Sequence, residues 1–118
     1  MSAYTKVILP LTTISESTVT EEVSAALPCP SAFLMLNVTS LGNPVAPSES
    51  ALYLQAHEPA LGEWFDLLRL DDIASSGIKT YEIGPALKID LLLPARWRLL
   101  LAPSGPMSLA ASVTMYPQ

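Results

Sequence analysis

Met107-Ser-Leu-Ala-Ala-Ser-Val-Thr-Met115 alternates without a break: Met107, Leu109, Ala111, Val113 and Met115 fall on one side of an extended chain, and Ser108, Ala110, Ser112 and Thr114 on the other. An apolar row backed by a small polar row is the pattern of a strand with one buried face. Upstream, Arg96-Trp-Arg-Leu-Leu-Leu101 places Trp97, Leu99 and Leu101 inward and Arg96 and Arg98 outward. Leu34, Leu36 and Val38 alternate in the same way with Met35, Asn37 and Thr39, and Leu52, Leu54 and Ala56 with Tyr53, Gln55 and His57. Leu87-Lys-Ile-Asp-Leu91 reads as a further strand with Leu87, Ile89 and Leu91 inward, so that two consecutive strands flank Pro94.

The breaks between these segments are closely spaced. Proline, at 11 residues, is about twice its usual share. With the glycines it falls at Pro10, Pro28 and Pro30, Gly42 to Pro47, Pro59 to Gly62, Gly77, Gly84 and Pro85, Pro94, and Pro103 to Pro106. The intervals hold strands and leave no room for long helices. Two are ambiguous. In Thr18 to Leu27, Val19, Val23, Ala26 and Leu27 share a helical face and Thr18 with Glu21 fits a capping box, but the β-branched Thr18, Val19, Thr20 and Val23 favour a strand. Trp64 to Leu70 is expected as the return strand of a hairpin with Leu52 to His57, and Asp71-Asp72 to Gly77 as a loop. The expected fold is all-β: a single-domain antiparallel β-sandwich of about 7–8 strands, jelly-roll or immunoglobulin-like. It spans residues 1–118, of which 1–14 could form an extended N-terminal arm, and Trp64 and Trp97 are its expected large anchors.

Composition narrows the function. Half of the residues are apolar and only 14% are charged, which excludes the disordered class. The net charge of −5 opposes binding to a phosphate backbone. Cys29, between Pro28 and Pro30, has no disulfide partner, lacks a basic neighbour to activate it, and with a single histidine cannot complete a zinc set. Leu99 to Gln118 is uncharged, but Pro103, Gly105, Pro106 and Pro117 interrupt it, so it does not read as a membrane helix. Val7 to Leu9 is too short for the apolar part of a signal peptide. A soluble protein made in the cytoplasm is expected.

No catalytic, cofactor-binding or metal residues emerge. His57 is the only histidine, its parity points it outward as a polar residue, and no nucleophile, phosphate-loop or dinucleotide motif accompanies it. Asp66, Asp71 and Asp72, and Glu58 with Glu63, read as solvated loop acids; a glycosidase pair or a Ca²⁺ site near Asp66, Asp71 and Asp72 is the alternative. Asn37-Val-Thr39 matches a glycosylation sequon but sits inside a strand. Arg96-Trp97-Arg98 resembles a nucleic-acid strip only until alternation turns Trp97 inward.

The order of elements resembles that of small β-sandwich proteins in the virions of tailed bacteriophages. The resemblance runs over roughly residues 15 to 116: Leu36-Asn-Val-Thr39, a Gly/Pro loop, Leu52-Tyr-Leu-Gln55, the Pro59 to Gly62 turn and Trp64-Phe-Asp-Leu67. Then come Gly77, Lys79-Thr-Tyr-Glu-Ile83, Arg96-Trp-Arg-Leu99, Ser104-Gly-Pro106 and Ser112-Val-Thr114. Each element is generic to sandwiches, and Ala56-His-Glu-Pro-Ala-Leu-Gly-Glu63 is more apolar than the turn usual in such chains. The resemblance implies a non-enzymatic capsid decoration or cement protein at the virion surface. It would bind the lattice of the major capsid protein as a homo-oligomer such as a trimer, without nucleic acid, membrane or cofactor. Expected contacts are Gly42 to Pro47, Pro59 to Gly62 and the Ser2 to Leu11 arm, with the small row Ser108, Ala110, Ser112 and Thr114 packed on a neighbour or on the chain's own N-terminal segment. The alternatives are a neck or tail adaptor, and a carbohydrate-binding or adhesion module using Tyr53, Tyr81 and Trp64.

Overall fold

Alternation carries over directly into burial. In the computed structural model, residues 4–24, 31–41, 50–91 and 93–116 are described. The readings made for Ser2, Ala26, Leu27, Pro28, Cys29, Pro30, Gly42 to Pro47 and Pro117 lie outside them. The described residues form β1 (Tyr4–Ile14), β2 (Thr18–Val19), β3 (Val23–Ser24), β4 (Ser31–Leu41), β5 (Ser50–Glu58), β6 (Glu63–Ile73), β7 (Gly77–Ile83), β8 (Arg96–Ala102) and β9 (Met107–Tyr116). The inward rows expected on β4, β5, β8 and β9 are all buried, Trp97 among them. Each such side chain contributes roughly 1.5 to 3 kcal/mol of transfer free energy.

The strands make two antiparallel sheets, a front sheet in the order β1-β9-β4-β7 and a back sheet in the order β2-β8-β5-β6, with β3 also on β8. Pairing is nested: β1 with β9, β2 and β3 with β8, β4 with β7, and β5 with β6. Two further ladders, β4 with β9 and β5 with β8, complete the sheets. One long antiparallel hairpin folded at the β5–β6 turn and then rolled gives this arrangement, with β2 and β3 sharing one strand position. It is the jelly-roll topology, and the immunoglobulin-like alternative is set aside. Residues 4–14, foreseen as a possible arm, are a sheet strand that pairs with β9 edge to edge and lies beside its small row, not over it.

Local chemistry explains where strands stop. Between β2 and β3 the buried Thr20 interrupts the ladder: its hydroxyl accepts the Leu99 N–H at 3.0 Å and donates to the Glu21 carbonyl at 3.0 Å. The segment expected to be strand rather than helix is thus two short strands around a side-chain bond. At the β5–β6 turn, Gly62 takes φ 68° and donates to the Glu58 carbonyl at 2.8 Å, while the Glu58 carboxylate accepts the Ala60 N–H at 2.7 Å.

Both open sides of the sandwich are stitched across the sheets. On one, Glu21 N–H donates to the Ile8 carbonyl at 2.9 Å. On the other, Tyr81 Oη donates to Asp71 Oδ2 at 2.8 Å. The edge strands resist further pairing through Pro10 and register shifts in β1, and through bulges at Leu67 and Leu70 in β6.

Three expectations are corrected. Leu87 to Leu91 is not a strand: the chain turns at Gly84 to Lys88, Ala86 adopts φ 62°, and its N–H is held by Asp90 Oδ1 at 3.0 Å. Ile89 bridges Ile83, and Ile89 and Leu91 touch the core, whereas Leu87 is exposed. Asp71 and Asp72 belong to β6, so the loop before Gly77 is only Ala74 to Ser76. Trp64 is half-buried on the outer back face and is not a core anchor.

Truncating Leu109 to Ala, fully buried near the start of β9, should lower stability by about 2–5 kcal/mol in urea unfolding, while Leu61→Ala at the exposed β5–β6 turn should change it by less than about 0.5 kcal/mol.

Candidate functional site

Inward rows fix the outward ones, and the two outer faces differ in chemistry. Across the front sheet, paired residues form three transverse rows: Thr5, Thr114, Phe33 and Glu82; Val7, Ser112, Met35 and Thr80; and Ala110, Asn37 and Ile78. Glu82 is the one ionisable group in these rows. Val7, Met35, Asn37, Ala110, Ala111 and Ser112 line a shallow apolar depression. Two hydroxyl pairs satisfy each other, Thr5 Oγ1 with Thr114 Oγ1 at 2.9 Å and, towards the end of the strand pair, Thr13 Oγ1 with Ser108 Oγ at 2.7 Å. Covering this face would desolvate a single charged group, Glu82, and charges carry the largest desolvation penalty.

The back face carries a polar and aromatic ladder built from three strands. Its first row pairs His57 on β5 with Trp64 on β6, and Arg96 on β8 reaches His57 through its side chain; its second pairs Arg98, Gln55 and Asp66 across the ladders. Arg96 Nη2 donates to Glu22 Oε2 at 2.7 Å, which holds the Glu22 carboxyl below the usual range. Arg96 Nη1 lies 3.3 Å from His57 Nδ1, and because a guanidinium only donates, that nitrogen is the acceptor. The His57 ring meets Trp64 edge-on at 5.1 Å. The Arg98 guanidinium lies 4.1 Å from the Trp64 ring centroid and donates through Nε to Gln55 Oε1 at 2.8 Å; Gln55 Nε2 in turn donates to Asp66 Oδ1 at 2.9 Å.

The acids considered for catalysis or a cation do not converge. Asp66 is held by Gln55 on the outer back face, Asp71 points between the sheets to Tyr81, and Asp72 pairs with Arg69. Glu58 and Glu63 face each other across the turn, and Glu58 serves as a cap for Ala60. Among the described residues no group of three or more His, Cys, Asp or Glu is placed to hold a metal ion. His57 is half-buried against Trp64 and Arg96 and is not the freely exposed polar residue expected. Tyr81 is buried, so it does not join Tyr53 and Trp64 in an exposed aromatic row. Its parity with Ile83 already placed it inward. Gln55, by contrast, carried no signal of its buried bridging position, because both of its partners come from neighbouring strands.

Fold and faces together define a jelly-roll domain with one nearly uncharged outer sheet face and one arginine-bearing face. No protein-family model matches the chain, and no curated protein is significantly similar to it.

Burial and the Asp71 carboxylate both raise the Tyr81 pKa above its ordinary value. The folded phenol therefore keeps its proton while the unfolded one ionises near pH 10, and stability falls as pH rises past that point. Tyr81→Phe should flatten this alkaline decline in denaturant midpoints measured from about pH 9 to pH 11, because the other tyrosines are common to both proteins.

Proposed function

We propose that this protein is a non-enzymatic structural protein of a phage virion, of the capsid decoration or cement type, and that it docks through the outer face of its front sheet. The observation that carries the reading is the chemistry of that face: four strands wide, with small and apolar side chains and a single ionisable group, Glu82, in its transverse rows. The net charge of −5 suits the outside of a shell better than its DNA-facing side. The mechanism is linkage: contacts that exist only on the assembled lattice of the major capsid protein stabilise that lattice. Symmetric presentation, as a trimer, would multiply each contact around a lattice axis. A neck or tail position would use the same face in a ring, and copy number separates the two.

The back face gives little support to a sugar-binding module. Trp64 is already stacked by Arg98, the Tyr53 ring has Arg69 5.7 Å from its centroid, and Tyr81 is buried. An enzyme is equally poorly supported, since among the described residues no hydroxyl or thiol is hydrogen-bonded to His57.

Two measurements test the proposal. Quantitative mass spectrometry of density-purified particles should find the chain near-stoichiometric with the shell protein; a single ring's worth of copies would move it to the neck or tail, and absence would refute a virion role. Ser112→Lys puts a charge in the middle of the front face, at a position pointing away from the core. It should leave stability within about 0.5 kcal/mol while abolishing particle binding; undiminished binding would remove this face from the contact.

A further inference from the structure

Arg98 is the one arginine of the back-face ladder that makes no ion pair among the described residues. Arg96 has Glu22 and Arg69 has Asp72, but among the described residues Arg98 makes no ion pair, and its only hydrogen bond is the one from Nε to Gln55. The adjacent Asp66 carboxylate accepts from the Gln55 amide through Oδ1 and makes no ion pair with Arg98. The guanidinium is nonetheless held in place: Trp64 supports its plane, and the buried Gln55, itself fixed by Asp66, anchors Nε. Both amino groups are left to donate. A half-buried positive charge, already oriented and with two unused donors, matches a carboxylate that accepts a forked pair of bonds. The half-buried Trp64 and Tyr53 on either side supply apolar contact, and an arginine beside such aromatics is the composition of an interaction anchor.

From this we infer that the back face is a second docking surface, which takes an acidic protein segment whose Asp or Glu carboxylate pairs with Arg98 over Trp64. Charge complementarity selects this occupant. The chain as a whole is acidic, yet Arg96 and Arg98 lie beside His57 and Gln55 on this face, and Arg98 alone of the three arginines is in no ion pair among the described residues. An apolar partner would bury the guanidinium unpaired, which is unfavourable. The inference is independent of the front-face reading, because the two surfaces lie on opposite sides of the sandwich.

The test is a titration of the isotope-labelled full chain, followed at the Trp64 indole N–H and the Arg98 Nε–H. The probe is a blocked hexapeptide with two adjacent glutamates between leucines, and the comparators are its glutamine counterpart and a short heparin oligosaccharide. The glutamate peptide should shift both signals and leave front-sheet signals in place. Arg98→Gln, which keeps a donor for Gln55 but loses the charge, should weaken binding roughly tenfold or more, and Arg98→Lys, which keeps the charge but loses the fork, should also weaken it. Unmoved front-sheet signals in the free variants confirm that both are folded, and Ser112→Lys should bind as the wild type does. The inference is overturned by the absence of a shift at millimolar peptide, by equal binding of the glutamine peptide, by undiminished binding to Arg98→Gln, or by tighter binding of heparin than of the peptide.

Discussion

The parity of β9 is the constraint on which the rest of the molecule depends. This strand lies in the middle of the front sheet, hydrogen-bonded to β1 on one side and β4 on the other. Sliding it by one residue against either neighbour would drive Ser108, Ser112 and Thr114 into the core and expose Leu109 and Val113. The same parity builds the front face, since the residues kept out of the core are the small ones that make that face flat and nearly free of charge. Core and surface are thus two consequences of one alternation.

The two faces divide the chemistry between them. The front face has few charges that water must be stripped from, so it suits a broad contact made by shape. Electrostatic interactions gathered on the back face instead tie β8, β5 and β6 together, with Gln55 as the joint between a cation and an anion. A network of this kind favours one geometry, because moving any member leaves another unsatisfied. Surface pairs such as Lys6 with Glu21 at 3.8 Å add little by comparison.

How much of this was legible in the sequence depends on the range of the interaction that decides each feature. The buried rows of β4, β5, β8 and β9 follow from neighbours two residues apart, and simple alternation reads them. Leu87 to Leu91 satisfied the same alternation and still proved to be a turn and loop, because Gly84, Pro85 and the positive φ of Ala86 direct the chain there, with Ile89 and Leu91 reaching the core from outside any named strand. Trp64 was misplaced as an anchor because size alone suggested burial, while the bulges at Leu67 and Leu70 blurred the parity of β6. The back-face ladder was not legible at all: it needs the register between strands distant in sequence, and only the fold supplies that. The jelly-roll choice had the same origin, since strand order is a property of pairing and not of any one segment.

Nested pairing also sets an order of events for the chain as it is made. Tyr4 pairs with Met115, and β1 reaches β4 only through β9, so a ribosome delivers the central strand of the front sheet after every other described strand. Until then β1 and β4 stand apart with a strand-wide gap between them and their apolar rows uncovered. Such long-range closure is slow compared with local hairpin formation. The domain is therefore most exposed to misassociation in the interval before its C-terminal strand is released, and that interval, more than the finished fold, is where a cell would have to protect it.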